Sequence, residues 1–300
     1  MTPPRPLRER VGVRGNRGIM NIIQAILMGI VQGLSEFLPV SSSAHLVFTS
    51  SLYKYFTGVL NVIQSNEEVF FDIMLHLGTL IAVLIFFRKE IVQIIKSLFN
   101  AIKTKDFSDY EAKLGLYIIL GTFFTIFVAY PLKDFCEKLV FSPAIVGVLL
   151  FITGIVLLLS EFVSKKIPQK TDKINLKNSI LIGIAQGLAA FPGFSRSGWT
   201  IATGLFSGLD RVTCAKYSFL LSIPIILGTS MLYPLLEIDF KEIAAFNWTS
   251  IISGTIVSAV VGYFCIKYFL KFLQKFSLAF FAYYCMITGA VMAVFFKFIA

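Results

Sequence analysis

Six apolar runs of about 20 residues, near 69–87, 114–132, 142–162, 213–235, 249–270 and 278–298, constrain this chain more than any other feature. Coiled as a helix rising about 1.5 Å per residue, such a run matches the ~30 Å hydrocarbon core of a bilayer. Every backbone polar group in that core must be satisfied within the protein, which helices do by themselves. The expected class is an all-α integral membrane protein with six full transmembrane helices. Composition agrees: 56% hydrophobic and 15% charged residues leave too little polar surface to coat a soluble domain of 300 residues. A soluble dinucleotide-binding enzyme, a disordered chain and a nucleic-acid reader are all excluded. The net charge of +10 reads as lysines anchoring loops at a membrane face, with no nucleic-acid partner implied. Cys136, Cys214, Cys265 and Cys285 stand singly without CxxC spacing and read as small buried hydrophobes. Residues 1–19 hold five arginines and no apolar core. They read as a non-native or disordered extension, leaving 20–300 as one membrane domain.

Two further apolar regions are too short to span. One runs over 22–34, breaks at SEFLPVSSSAH and resumes over 46–62; the other runs over 180–190, breaks at FPGFSRSGWT and resumes over 201–209. A helix of about 14 residues covers only about 21 Å. Each region therefore predicts a re-entrant helix–turn–helix hairpin, whose irregular backbone is tolerated only against protein or a water-filled cavity. The two are copies. ILMGIVQGLSEF (26–37) and ILIGIAQGLAAF (180–191) agree at eight of twelve positions, and one deleted residue then pairs Pro39 with Pro192 and Ser42 with Ser195. Three full spans lie between the copies, so the second enters from the opposite face, as in an inverted-topology repeat. Repeat one covers about 20–110 and repeat two about 178–270.

Sixteen Lys and Arg fall in 88–113, 163–178, 210–216 and 267–275, against five on the other side of the spans outside the 1–19 tail. The positive-inside rule places the richer side in the cytoplasm. Both termini and the mouth of the first hairpin then face outward.

Ionisable residues inside membrane segments are functional candidates by default, and here they are Glu36, His45, Asp72, His76 and Arg196. In the first turn Gln32 and Glu36 share a helix face, and Ser41, Ser42, Ser43 and His45 follow Pro39 at the mouth of the next half-helix, an anion-receiving end. The alternative is a serine cap beside a snorkelling carboxylate. In the second turn Gly193, Ser195, Arg196, Ser197 and Thr200 surround one guanidinium, whose donor fork matches phosphate oxygens. The alternative there is a structural pair of Arg196 with Glu36. Asp72 and His76 form either a second proton relay or an interfacial pair. Joined, the two turns would supply an anion anchor, a hydroxyl nucleophile, a base and a carboxylate. Glu36, with Gln32 as neutral companion, suits a hard divalent cation such as Mg²⁺ or Ca²⁺. The set suits hydrolysis of a phosphoanhydride. The rival is a transporter or flippase for a phosphorylated polyprenyl lipid, since inverted repeats are transporter architecture.

QGLSEFLPVSSSAH at 32–45 and FPGFSRSGWT at 191–200 resemble the two motifs of the undecaprenyl-diphosphate phosphatase family, bacterial membrane enzymes associated with bacitracin resistance. The resemblance runs from about Met20 to the C-terminus. It implies dephosphorylation of undecaprenyl diphosphate, recycling the lipid carrier for cell-wall synthesis in the bacterial inner membrane, at a site opening outward. It further implies that Glu36 serves metal-dependent catalysis, that Ser42 is the nucleophile and His45 its proton partner, and that Arg196 with Ser195 and Ser197 holds the diphosphate. Many members carry Glu where this chain has Gln32, which weakens a two-carboxylate metal site. The implied partners are the polyprenyl diphosphate and membrane lipids, with a homodimer as one assembly the reading allows.

Overall fold

Each long apolar run folds as one helix, the second of them closing in a 3-10 turn over Tyr130–Leu132, and each broken region folds as two. The computed structural model describes residues 22–57, 66–140, 142–167, 170–237, 243 and 246–298; the extension expected over 1–19 lies outside them. The first broken region forms α1 (Ile22–Ser35) and α2 (Ser42–Thr57). Then come α3 (Asn66–Phe86), α4 (Arg88–Thr104), α5 (Tyr110–Ala129), the short α6 (Lys133–Leu139) and α7 (Pro143–Lys166). The second broken region forms α8 (Leu176–Leu188) and α9 (Arg196–Phe206), followed by α10 (Arg211–Glu237), α11 (Trp248–Lys275) and α12 (Ala279–Phe298). Among the described residues six segments, led by α3, α5, α7, α10, α11 and α12, are long and apolar enough to cross a bilayer. Exposed Phe123 and Phe127 on α5 and Ile287 and Val291 on α12 belong to a lipid-facing surface. The chain is an integral, multi-pass membrane protein.

The polar residues of the first turn start α2 four residues earlier than hydropathy alone predicts. The cause is capping. Ser41 takes a left-handed backbone, φ 67°, and its Oγ accepts from Ala44 N at 3.3 Å, satisfying a donor the helix cannot use itself. Ser195 does the same for α9, accepting from Gly198 N at 3.1 Å. Each capping serine also bonds the serine two residues on, Ser41 to Ser43 and Ser195 to Ser197, both at 3.2 Å. These caps align the copies with no deletion, so Ser42 is the counterpart of Arg196, one residue away from the pairing through the two prolines. Proline identity misleads here because the turns differ in path: the second reaches positive φ at Gly193, 102°, and the first at Ser41.

Packing is organised in matching pairs: α1 lies along α11 and α8 along α5, while α3 meets α10 and α7 meets α12. Apolar burial between helices gains little inside lipid, so close approach of backbones through small residues does much of the work. A Cβ on Gly33 would sit 2.9 Å from Ser258 O, and one on Gly187 would sit 2.8 Å from Thr125 O. Both glycines therefore let a half-helix lie directly on a full span. Below the turns, Phe37 is fully buried and packs edge-on against Phe219, with ring centroids 5.2 Å apart. All four cysteines are free and buried.

Candidate active site

The two turns meet. Ser43 Oγ accepts from Gly193 N at 3.4 Å, Ser197 Oγ donates to Leu38 O at 2.9 Å, and Ser41 Oγ donates to Phe194 O at 3.5 Å. These bonds bring the N-termini of α2 and α9, each carrying partial positive charge, to one place. Thr153, from the middle of α7, braces the second turn: its Oγ1 receives hydrogen bonds from Ser195 N and from Trp199 Nε1.

Glu36 occupies the junction and is buried. Arg196 Nη2 lies 2.5 Å from its Oε1, while Gln32 Nε2 and Ser42 Oγ each donate to Oε2 at 2.9 Å. His76 Nε2 stands 3.6 Å from the same Oε2. The other ring nitrogen of His76 is 2.8 Å from Asp72 O. A carbonyl only accepts, so Nδ1 carries the hydrogen and Nε2 is the atom turned to the carboxylate. Arg196 also donates from Nη1 to Ser218 O at 3.3 Å. Thr200 Oγ1 bonds Ser218 Oγ at 2.6 Å. Arg196 and His76 side chains remain 18% and 35% exposed, so the cluster can be reached from outside the protein.

Of the candidates read from sequence, Gln32, Glu36, Ser42 and Arg196 form one contiguous cluster. Ser41, Ser43, Gly193, Ser195 and Ser197 build and tie the turns around it, and Thr200 braces the start of α9. His45 is held elsewhere. Its Nδ1 donates to Ser41 O at 2.8 Å, and its Nε2 accepts from Tyr284 OH at 2.6 Å. The Ser42 hydroxyl hydrogen goes to Glu36. His76, left between two roles by its position at the start of a span, lies against the central carboxylate. Sequence reasoning does not single out Tyr284, Thr153 or Ser218, because a hydroxyl inside a span is common along this chain.

Among the described residues no group of three or more His, Cys, Asp or Glu is placed to hold a metal ion. What the site offers a cation is oxygen. Gln32 is fully buried, and its Oε1 is one of three buried polar atoms without a hydrogen-bond partner among the described residues. An amide oxygen and a carboxylate are the donor types a hard cation takes, and here the Gln32 amide turns its Nε2 to Glu36 and leaves Oε1 unmet.

Comparison with known proteins points one way. Residues 25–291 match the family described as bacitracin resistance protein BacA. An undecaprenyl-diphosphatase of Methanobrevibacter smithii is 41% identical over 284 residues, covering 91% of this chain and 96% of that protein. The undecaprenyl-diphosphatase of Halothermothrix orenii is 38% identical, covering 92% and 98%. Undecaprenyl-diphosphatase 2 of Stutzerimonas stutzeri is 39% identical, covering 93% and 99%. With a match over nearly its whole length, and with the paired carboxylate and guanidinium inside the matched region, the chain belongs to the bacitracin resistance protein BacA family.

Proposed function

We propose that this chain hydrolyses undecaprenyl diphosphate to undecaprenyl phosphate and inorganic phosphate. One observation carries the chemistry: the two copies deliver Glu36 and Arg196 to a 2.5 Å contact, with the Ser42 hydroxyl on the same carboxylate. In the free protein the guanidinium is neutralised by Glu36. An incoming diphosphate offers it better-matched oxygens, and the fork transfers to the terminal phosphoryl group. Glu36, freed of that charge, accepts the Ser42 proton as Oγ attacks the terminal phosphorus. The bond from phosphorus to the bridging oxygen breaks, Glu36 gives its proton to that oxygen, and undecaprenyl phosphate leaves. Water then attacks the seryl phosphate and gives a proton to Glu36, which returns it to Ser42 Oγ as the phosphorus–serine bond breaks and inorganic phosphate leaves. The N-termini of α2 and α9 supply fixed positive potential to the developing charge. Glu36 and Gln32 Oε1 would hold a divalent cation, Mg²⁺ or Ca²⁺, which when bound neutralises phosphoryl oxygens.

The same reading places α1–α2 and α8–α9 as hairpins dipping from opposite faces, because three full-length helices, α3, α5 and α7, separate the copies. It orients the lysine-rich side to the cytoplasm of a bacterial inner membrane, with both termini and the first hairpin's mouth outside. Disposal of the carrier diphosphate on that side would recycle the lipid for wall synthesis and oppose bacitracin. The site is assembled from a single chain, so the chemistry requires no homodimer. The transporter alternative has weaker support, since the relatives compared are named as hydrolases.

Phosphate release from a polyprenyl diphosphate by the purified chain, with and without chelator, is the test. Release that requires a divalent cation and disappears in Arg196→Ala is expected. A well-folded wild-type protein that releases no phosphate under any divalent cation overturns the assignment.

A further inference from the structure

α4 is not one of the six spans, yet it exposes a stripe of large apolar side chains. Val92, Ile95, Phe99 and Ile102 are all exposed, Phe99 at 72%. At about 100° per residue they fall within an arc of about 80°. The adjoining arc is packed on protein: Ile94 and Ala101 are buried. A Cβ on Gly115 of α5 would meet Ile94 and Leu98 at 3.1 and 3.2 Å. Gly115 is five residues into α5, about 8 Å along its axis, so α4 lies at the rim of the apolar slab. The other border of the exposed stripe is basic. Lys89, Lys96 and Lys103, seven residues apart and all exposed, fall within an arc of about 40° beside Val92 and Phe99. A shallow groove of about 510 Å³ opens there, lined by Arg88, Lys89, Val92, Gln93, Lys96 and Ser97.

We propose that α4 lies in the membrane surface and binds anionic phospholipid headgroups of the leaflet on the lysine-rich side. An apolar stripe flanked by lysines is the signature of a helix lying in the interface plane, with acyl chains under the stripe and phosphates at the ammonium groups. A soluble protein partner would not match a stripe placed at the level of the first turns of a membrane span.

The test uses the full chain reconstituted in phosphatidylcholine vesicles with trace spin-labelled phosphatidylglycerol or spin-labelled phosphatidylcholine. The wild type is expected to restrict the anionic probe preferentially at low ionic strength. K89Q/K96Q/K103Q is expected to lose about fivefold or more of that preference, with an unchanged melting temperature confirming its fold. Equal preference in the two proteins overturns the proposal. A fluorophore on F99C supplies a second readout, with the unsubstituted chain as labelling control. Quenching by acyl-chain nitroxides supports the placement, and quenching by aqueous iodide alone refutes it. Neither readout depends on phosphate release, so failure here is separable from failure of the proposed activity.

Discussion

The two turn regions use one scaffold for two kinds of chemistry. Gly29 and Gly33 seat α1 on α11 just as Gly183 and Gly187 seat α8 on α5. Ser41 and Ser43 repeat the cap built by Ser195 and Ser197. Even the side chain four residues past each cap plays a parallel part: His45 bonds a hydroxyl on α12, Tyr284, and Trp199 bonds a hydroxyl on α7, Thr153. The residues facing the shared junction are the ones that differ. Glu36 stands where the second copy has Ala190, and Arg196 stands where the first has Ser42. A symmetric scaffold with two carboxylates or two guanidiniums at the centre would bring like charges together. The asymmetry creates a site in which one arm neutralises the other until an anion arrives.

Breaking the charge pair is expected to have the largest effect. Arg196→Ala should lower kcat/KM for a polyprenyl diphosphate by about 10³-fold or more, the scale of a guanidinium that stabilises a transferring phosphoryl group. Arg196→Lys should recover little of this, because an ammonium cannot span two oxygens as the fork does. Near-wild-type rates in the lysine variant would reduce Arg196 to a simple countercharge.

The scaffold side of the comparison is tested by equal damage to both copies. Gly33→Ala and Gly187→Ala each push a methyl group into a backbone carbonyl, at 2.9 and 2.8 Å. Each should destabilise the protein by about 1–3 kcal/mol, read as a lower melting temperature in detergent. If only one variant is destabilised, the packing roles are not equivalent.

The glutamines sharpen the contrast. Gln32 Nε2 donates to Glu36 Oε2, whereas Gln186 Nε2 donates to Thr125 Oγ1 at 3.1 Å and never meets the junction. Gln32→Leu removes a buried hydrogen bond to a charged group and should both lower the melting temperature and cut phosphate release by about tenfold. Gln186→Leu should cost about 1 kcal/mol of stability and spare the rate. Gln32→Glu adds a second carboxylate and should lower the divalent cation concentration needed for half-maximal activity.

Much of this was legible in the chain. The six spans follow from run length, and the broken regions from the polar residues that interrupt them. The meeting of Glu36 with Arg196 followed from duplication: two copies of one turn, each with a single unusual charge, imply a common destination. Contacts with no such internal echo stayed hidden. Tyr284 lies 239 residues from His45 in an apolar run where tyrosine reads as ordinary packing. His76 gives no local sign that its Nε2 will turn to Glu36, because only the crossing of α3 beside α1 brings it there. Proline identity sets the register of the copies off by one residue because it ignores backbone path, and the capping serines carry the true correspondence.

The smallest expected effect concerns the parallel between His45 and Trp199. With Nδ1 committed to Ser41 O, His45 has one nitrogen left, and Tyr284 OH fills it at 2.6 Å with the rings stacked at 5.7 Å. Tyr284→Phe keeps the stacked ring and removes only the hydroxyl. If the hydroxyl merely fastens α12 to α2, as Thr153 fastens α7 to the second turn, the variant should melt lower and keep its kcat. If the ring of His45 must be held in one orientation to serve the diphosphate, kcat/KM should fall by about fivefold, the worth of about 1 kcal/mol, at unchanged melting temperature. The second outcome is expected, because Tyr284→Phe leaves the ring stacked on His45 in place and removes only the hydrogen bond, so the loss falls on the orientation of the imidazole rather than on packing.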